Sequence, residues 1–233
     1  MRIAFTEELQ FISDQLVEMA ALTSTALEQA TIALMEADLE TAESVISADE
    51  HIDAVRRDLD TRAVDALARQ QPVATDLRTL VTAMRMSADL ERMGDLARHV
   101  AKLARLRYPN TVLPEELKST FTRMAEVAEA LVNEAARIIK DNDAEAVAQL
   151  KITDDEMDDL HRDVFRVLLD DTWSGGVQAA IDATLLSRYY ERFGDHAVSI
   201  AQRVVYLVTG QWDDDYLNVE ERLEVTEVSR ATP

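Results

Sequence analysis

The sequence predicts an all-α protein built as two tandem, pseudo-symmetric antiparallel three-helix bundles. Three observations carry this. Breakers and aromatics are few, with 5 Gly, 4 Pro and 5% aromatic residues in 233. Apolar residues recur at spacings of three and four over stretches of about 30 residues, the signature of an amphipathic helix. The pattern also repeats: Glu91-Arg92-Met93-Gly94-Asp95-Leu96-Ala97 returns as Glu191-Arg192-Phe193-Gly194-Asp195-His196-Ala197.

The first predicted helix runs from about Thr6 to Asp38, with Leu9, Ile12, Leu16, Met19, Ala26 and Ala33 as its stripe. The second runs from about Glu40 to Gln70, with Val45, Ala48, Ile52, Val55, Leu59 and Ala66 on its inner side. Pro72 suits the entry to the third, Val73 to Arg107, because the first turn of a helix has no use for the missing N–H. The stripe of that helix is Ala83, Met86, Leu90, Met93, Ala97, Val100 and Ala104. Pro109 and Pro114 bracket the clearest linker. The fourth helix is predicted over Pro114 to Lys140, and Asp141-Asn142-Asp143 forms a turn with capping chemistry. The fifth follows from Ala144 to Asp170, and Ser174-Gly175-Gly176 ends that stretch. The sixth, Val177 to Val208, repeats the stripe of the third as Ala183, Leu186, Tyr190, Phe193, Ala197, Ile200 and Val204. The expected units are residues 1–108, 109–212 and an acidic C-terminal tail, 213–233.

The formal net charge of −21 argues against nucleic acid, whose phosphates demand clustered Lys and Arg, and against direct docking on anionic lipid. It favours cations or basic protein surfaces. Zero cysteine excludes disulfides and thiolate metal sites and fits a reducing cytosol. No signal-like segment and no run near ~20 apolar residues is seen, so a cytoplasmic location is expected.

Residues four apart share a helix face. Glu91 and Asp95, and Glu191 and Asp195, are such pairs. The second and fifth helices carry Asp49 with Asp53 and Asp154 with Asp158. On a helical wheel the acids of the repeated motif fall away from the apolar stripe, so they are expected to face the surface. Antiparallel packing would bring four carboxylates together in each repeat, and a cation held by hard oxygen ligands would relieve their repulsion. With 45 acids in 233 residues, chance alone supplies about nine such pairs. Asp95 also has Arg92 and Arg98 within reach for a plain ion pair. Recurrence at matched positions beside a glycine is what favours a site. A helical glycine costs about 1 kcal/mol relative to alanine. Gly94 and Gly194 are therefore expected either to serve close backbone approach or to keep a face open for metal or partner. On the second view, Gly94→Leu spares the fold and weakens metal loading. None of the four histidines recurs in the other repeat, so each reads as a surface residue rather than a ligand. Dinucleotide, P-loop, nucleophile-elbow and zincin motifs do not occur.

The duplicated E-R-[hydrophobic]-G-D-x-A motif, the D-x-x-[hydrophobic]-D segments and Pro72-Val73-Ala74-Thr75-Asp76-Leu77-Arg78 together resemble the PhoU family of phosphate-uptake regulators. The similarity covers about residues 5 to 210. The resemblance implies a non-enzymatic regulator that links the Pst phosphate ABC transporter to a sensor histidine kinase and restrains the phosphate-starvation response. It implies a homodimer that meets the membrane only through those partners. It also implies surface metal clusters, mainly of iron, with zinc, magnesium or calcium possible. The ligands it implies are Asp49, Asp53, Glu91, Asp95, Asp154, Asp158, Glu191 and Asp195. Tyr189 replaces Asp89 in the second repeat, and Gly175-Gly176-Val177 replaces the Asp-Leu-Arg element, so the two sites are expected to differ, with Asp89 a possible extra ligand in the first. The alternatives are a metal-dependent carboxylate enzyme and a metal-independent scaffold for a basic partner.

Overall fold

The computed structural model describes residues 2–211. The acidic tail expected over 213–233 lies outside the described residues. Six helices form: α1 (Arg2–Glu36), α2 (Leu39–Gln70), α3 (Ala74–Arg107), α4 (Glu115–Asp141), α5 (Val147–Leu168) and α6 (Gly176–Thr209). Their ends follow local chemistry. Asp38 caps α2 by accepting from the Thr41 N–H at 3.1 Å and the Thr41 hydroxyl at 2.6 Å. Gln71, Asn142 and Gly210 close α2, α4 and α6 in the left-handed conformation. Asp143 accepts from the Glu145 and Ala146 N–H groups in a turn of its own, so α5 starts at Val147, later than expected.

α1, α2 and α3 pack on one another, as do α4, α5 and α6. The halves are joined by α1 against α4 and α3 against α6. Contacts along α3 and α6 run antiparallel, from Arg107–Asp182 at one end through His99–Tyr189 to Arg78–Tyr206 at the other. The four helices α1, α3, α6 and α4 therefore close a central ring. Among the described residues, α2 touches only α1 and α3, and α5 only α4 and α6.

The ring is filled by the stripes expected of α3 and α6, every member of which is buried. Tyr190 crosses it, its hydroxyl 2.6 Å from that of Thr31 on α1 and its ring edge-on to Phe121 of α4. The inner stripe of α2 departs from expectation: Ala48 is exposed, and the phase set by Ala42, Val45 and Ile52 places Asp49 inside instead. Both 48 and 49 fit between 45 and 52 on periodicity, and apolarity favoured the wrong one.

Candidate carboxylate sites and family relationship

The acids of the two repeats line the seams α2/α3 and α5/α6. They do not face away from the core: Asp49 and Glu191 are 7% and 4% exposed, and the other six are half-buried. The reason is the breadth of the buried face on α3 and α6, which contact three neighbours each. Glu91 and Glu191, one step around from Leu90 and Tyr190, fall at its margin.

The seams are tight because of the two motif glycines. A Cβ on Gly94 would stand 2.9 Å from Ile52 Cδ1 and 3.7 Å from Asp49 Oδ1. On Gly194 it would stand 2.8 Å from Asp154 Oδ1 and 3.1 Å from Leu131 Cδ1. The glycines thus serve close approach of neighbouring helices, and an acid is the neighbour in both seams. A leucine at 94 has no room unless the Ile52 side chain or α2 itself shifts.

In the first repeat arginines meet the acids. Arg98 donates to both Asp49 and Asp95. Arg92 donates to Asp95 at 3.1 Å, Arg57 lies 3.8 Å from Asp53, and Arg56 lies 3.4 Å from Glu91. Burial pushes Asp49 and Glu91 above the usual carboxylate range, and Arg98 and Arg56 respectively oppose the shift.

The second repeat lacks two of these partners, since Val198 stands where Arg98 does and His161 where Arg56 does. Arg188 donates to Glu191, but Arg162 turns to Asp159. Burial, then the charges of Asp195 and Asp158, push Asp154 up to about 7. Burial and Asp195 push Glu191 up to about 8, and burial raises Asp158 and Asp195 as well. This seam holds more negative charge than its cations offset.

Among the described residues, no group of three or more His, Asp or Glu side chains is arranged to hold a metal ion as the side chains stand. The donor chemistry nevertheless fits a hard cation in the second seam. Its four acids are close enough to raise one another's proton affinity, and the buried Glu191 Oε2 has no hydrogen-bond partner. Glu91 Oε2 is likewise unpartnered, since Arg56 is near it without hydrogen-bond geometry. In the first seam, ligation would require displacing Arg98.

Asp89 is no ligand. It accepts from Arg203 at 2.7 Å and lies 3.2 Å from His196 Nδ1, across the α3/α6 contact. His161 lies 3.1 Å from the Ser187 hydroxyl, and His99 packs on Tyr189. Arg92 and Arg98 meet Asp95 as the plain ion pair expected from sequence, whereas the reach of Arg98 to Asp49, the roles of Arg56, Arg57 and Arg188, and the bidentate Arg107–Asp182 pair at 2.7 and 2.9 Å were not singled out from sequence. The Arg98/Val198 and Arg56/His161 differences were visible by aligning the repeats.

The PhoU domain family model matches residues 16–104 and 121–204. The phosphate-specific transport system accessory protein PhoU homolog 2 of Mycobacterium tuberculosis is 50% identical over 210 residues, covering 90% of this chain and 99% of that protein. PhoU homolog 1 of Mycobacterium leprae is 47% identical over 215 residues, covering 92% and 97%. The crystal structure of PhoU from Pseudomonas aeruginosa superposes with a TM-score of 0.78 at 28% identity, covering 89% of this chain and 100% of that one. PhoU from Streptococcus pneumoniae, with a TM-score of 0.79 at 24% identity over 90% and 99%, shares the fold. With both repeats matched and close relatives aligned along nearly their whole length, this chain belongs to the PhoU family.

Proposed function

We propose that the chain is a negative regulator of phosphate uptake and phosphate-starvation signalling, linking a Pst phosphate ABC transporter to a sensor histidine kinase without catalysing a reaction. The observation that carries this is the 50% identity, across 99% of its length, to a relative named as a phosphate-specific transport system accessory protein. The charge of −21 supports protein partners over nucleic acid or lipid. No helix among the described residues is long and apolar enough to cross a membrane. In this proposal the chain works in the cytoplasm as a homodimer and meets the membrane through its partners.

Asp154, Asp158, Glu191 and Asp195 hold a metal ion in this proposal, iron first, with zinc, magnesium and calcium as alternatives. Asp49, Asp53, Glu91 and Asp95 form a weaker site, because arginines already neutralise it. When bound, the cation supplies charge neutralisation across the α5/α6 seam. Deleting the gene should derepress a phosphate-starvation reporter under replete phosphate; an unchanged reporter together with unchanged phosphate uptake would refute the regulatory role. Elemental analysis of protein purified without a metal-binding tag tests the sites separately, and a metal-free result would favour the scaffold alternative.

A metal-dependent enzyme is the second reading, favoured by carboxyls held near neutral proton affinity in one seam. It requires turnover that Glu191→Gln with Asp195→Asn abolishes. Phosphatase and oxidase panels without turnover count against it.

A further inference from the structure

We infer that one end of the central ring receives an extended segment of a partner protein, with two adjacent aliphatic side chains and a carboxylate beside them. This rests on reading the chain as a link between protein partners. A hollow of about 450 Å³ opens at that end, and all four ring helices contribute to its wall. Its floor is apolar, with Ile12 and Leu16 of α1, Ala83 and Met86 of α3, Ile139 of α4 and Val204 of α6. Its rim carries Gln10, Ser13, Thr79 and Asn142, whose hydroxyls and amides can both donate to and accept from a peptide backbone. Among the described residues, Lys140 is the one charged side chain in the lining. A largely apolar hollow of this size with a few polar groups at its mouth is the usual form of a binding site.

The chain itself shows what such a space takes. Among the described residues α3 and α4 do not touch, so they stand on a diagonal of the ring. The connection between them therefore crosses the ring's other end, and it buries Val112 and Leu113 there, 5% and 2% exposed. Phe121 and Tyr190 fill the space beneath. The stripes of α1 and α4 match in order, with Ile12, Leu16 and Met19 answering to Leu117, Phe121 and Met124, all buried. At the open end the smaller Leu16 and Leu90 stand where the closed end has Phe121 and Tyr190. Glu7 and Glu8, at the places of Val112 and Leu113, continue α1 as helix instead of crossing. Glu8 turns to Arg62 of α2, 3.5 Å away. The hollow is thus the volume that the linker and two aromatic rings occupy at the other end.

The occupant follows from this comparison. An extended segment with a Val-Leu pair is what seats in the matching space. Its backbone N–H and C=O groups need partners once water is excluded, and the hydroxyl and amide side chains of the rim supply them. Lys140 stands where the closed end has Met35. Its ammonium favours a carboxylate over a cation beside the aliphatic pair. A segment seated there touches α1 and α3 of one half and α4 and α6 of the other, so it reads the intact ring rather than either repeat.

A fluorescent peptide with this chain's own linker sequence, Tyr108 to Glu116, is the probe. With the full chain it should give saturable fluorescence anisotropy. In methyl NMR it should shift Ile12 and Ile139 while leaving Ile46 of α2 and Ile152 of α5 in place. Leu113→Ala in the peptide should weaken binding about tenfold, because a leucine side chain leaves the buried set. Glu115→Lys with Glu116→Lys in the peptide should weaken it too, and Lys140→Met in the protein should remove that difference while keeping binding. Leu16→Phe, which copies the closed end, should abolish binding. Ser13→Trp, which blocks the rim and spares the floor, should do the same and serves if the first substitution disturbs the fold. Absence of saturable binding, or binding that leaves Ile12 and Ile139 unshifted, overturns the proposal. So does decanoate shifting those two methyls where the peptide does not, which would assign the hollow to a small aliphatic ligand. The assay involves no phosphate reporter, so it can fail while the regulatory role stands, and the reverse.

Discussion

Asp49 and Asp154 stand at points of the α2 and α5 stripes where an apolar side chain would ordinarily sit, and that placement governs both seams. Position 98 decides how the charge is met. Placing an arginine opposite the second seam, Val198→Arg, should weaken zinc binding there at least tenfold in calorimetry, with little change in melting temperature. An unaltered affinity would mean that the two seams do not differ by this cation. The raised carboxyls give a second expectation, for chelator-treated protein. Asp154 and Glu191 hold protons up to about 7 and 8 in the folded chain. Unfolded, they release them near the ordinary ~3.9 and ~4.3. The folded state thus binds more protons between these limits, and stability falls as pH rises through them. The melting temperature should rise as pH is lowered from about 8.5 to about 6, and Glu191→Gln should flatten that slope. The eight acids themselves were legible from spacing and repetition. Their depth was not, because periodicity cannot choose between Ala48 and Asp49 and says nothing of how many neighbours a helix has.

At the scale of the helix, the motif glycine is a packing device. Adding a side chain to a filled seam typically costs about 1–3 kcal/mol. Gly94→Leu should therefore destabilise the chain by about that much in urea denaturation, even without metal. An unchanged midpoint would show that α2 yields freely and that the glycine serves something else. Helix limits were readable wherever a distinctive residue marks them, as Pro72, Asn142 and Gly210 do. The start of α5 was missed because the Asp143 turn satisfies backbone donors that a helix would otherwise use.

At the scale of the molecule, the repeat was plain in the sequence, but the ring it closes was not. Ring closure depends on α1 meeting α4 and α3 meeting α6, and no local pattern encodes which stripe faces which. One consequence is mechanical unity. Asp182 is 3% exposed and its bidentate partner Arg107 comes from the other half. Arg107→Gln leaves that carboxylate buried without its cation and should lower the melting temperature. The loss should appear as one shifted cooperative transition rather than the early melting of one half.

The antiparallel α3/α6 contact also bears on history. One repeat alone would present an apolar α1/α3 face whose natural cover is a second copy related by a two-fold axis, the commonest symmetry of protein pairs. Duplication and fusion of such a half would make the ring a captured dimer. In a true dimer every substitution appears twice, so each must suit both sides of the axis. Once the halves share one chain that constraint disappears. Asp89 has Arg203 and His196, Tyr189 has His99, and only one seam retains its bridging arginine. Covalent union is what allows two descendants of one motif to diverge into different chemistry.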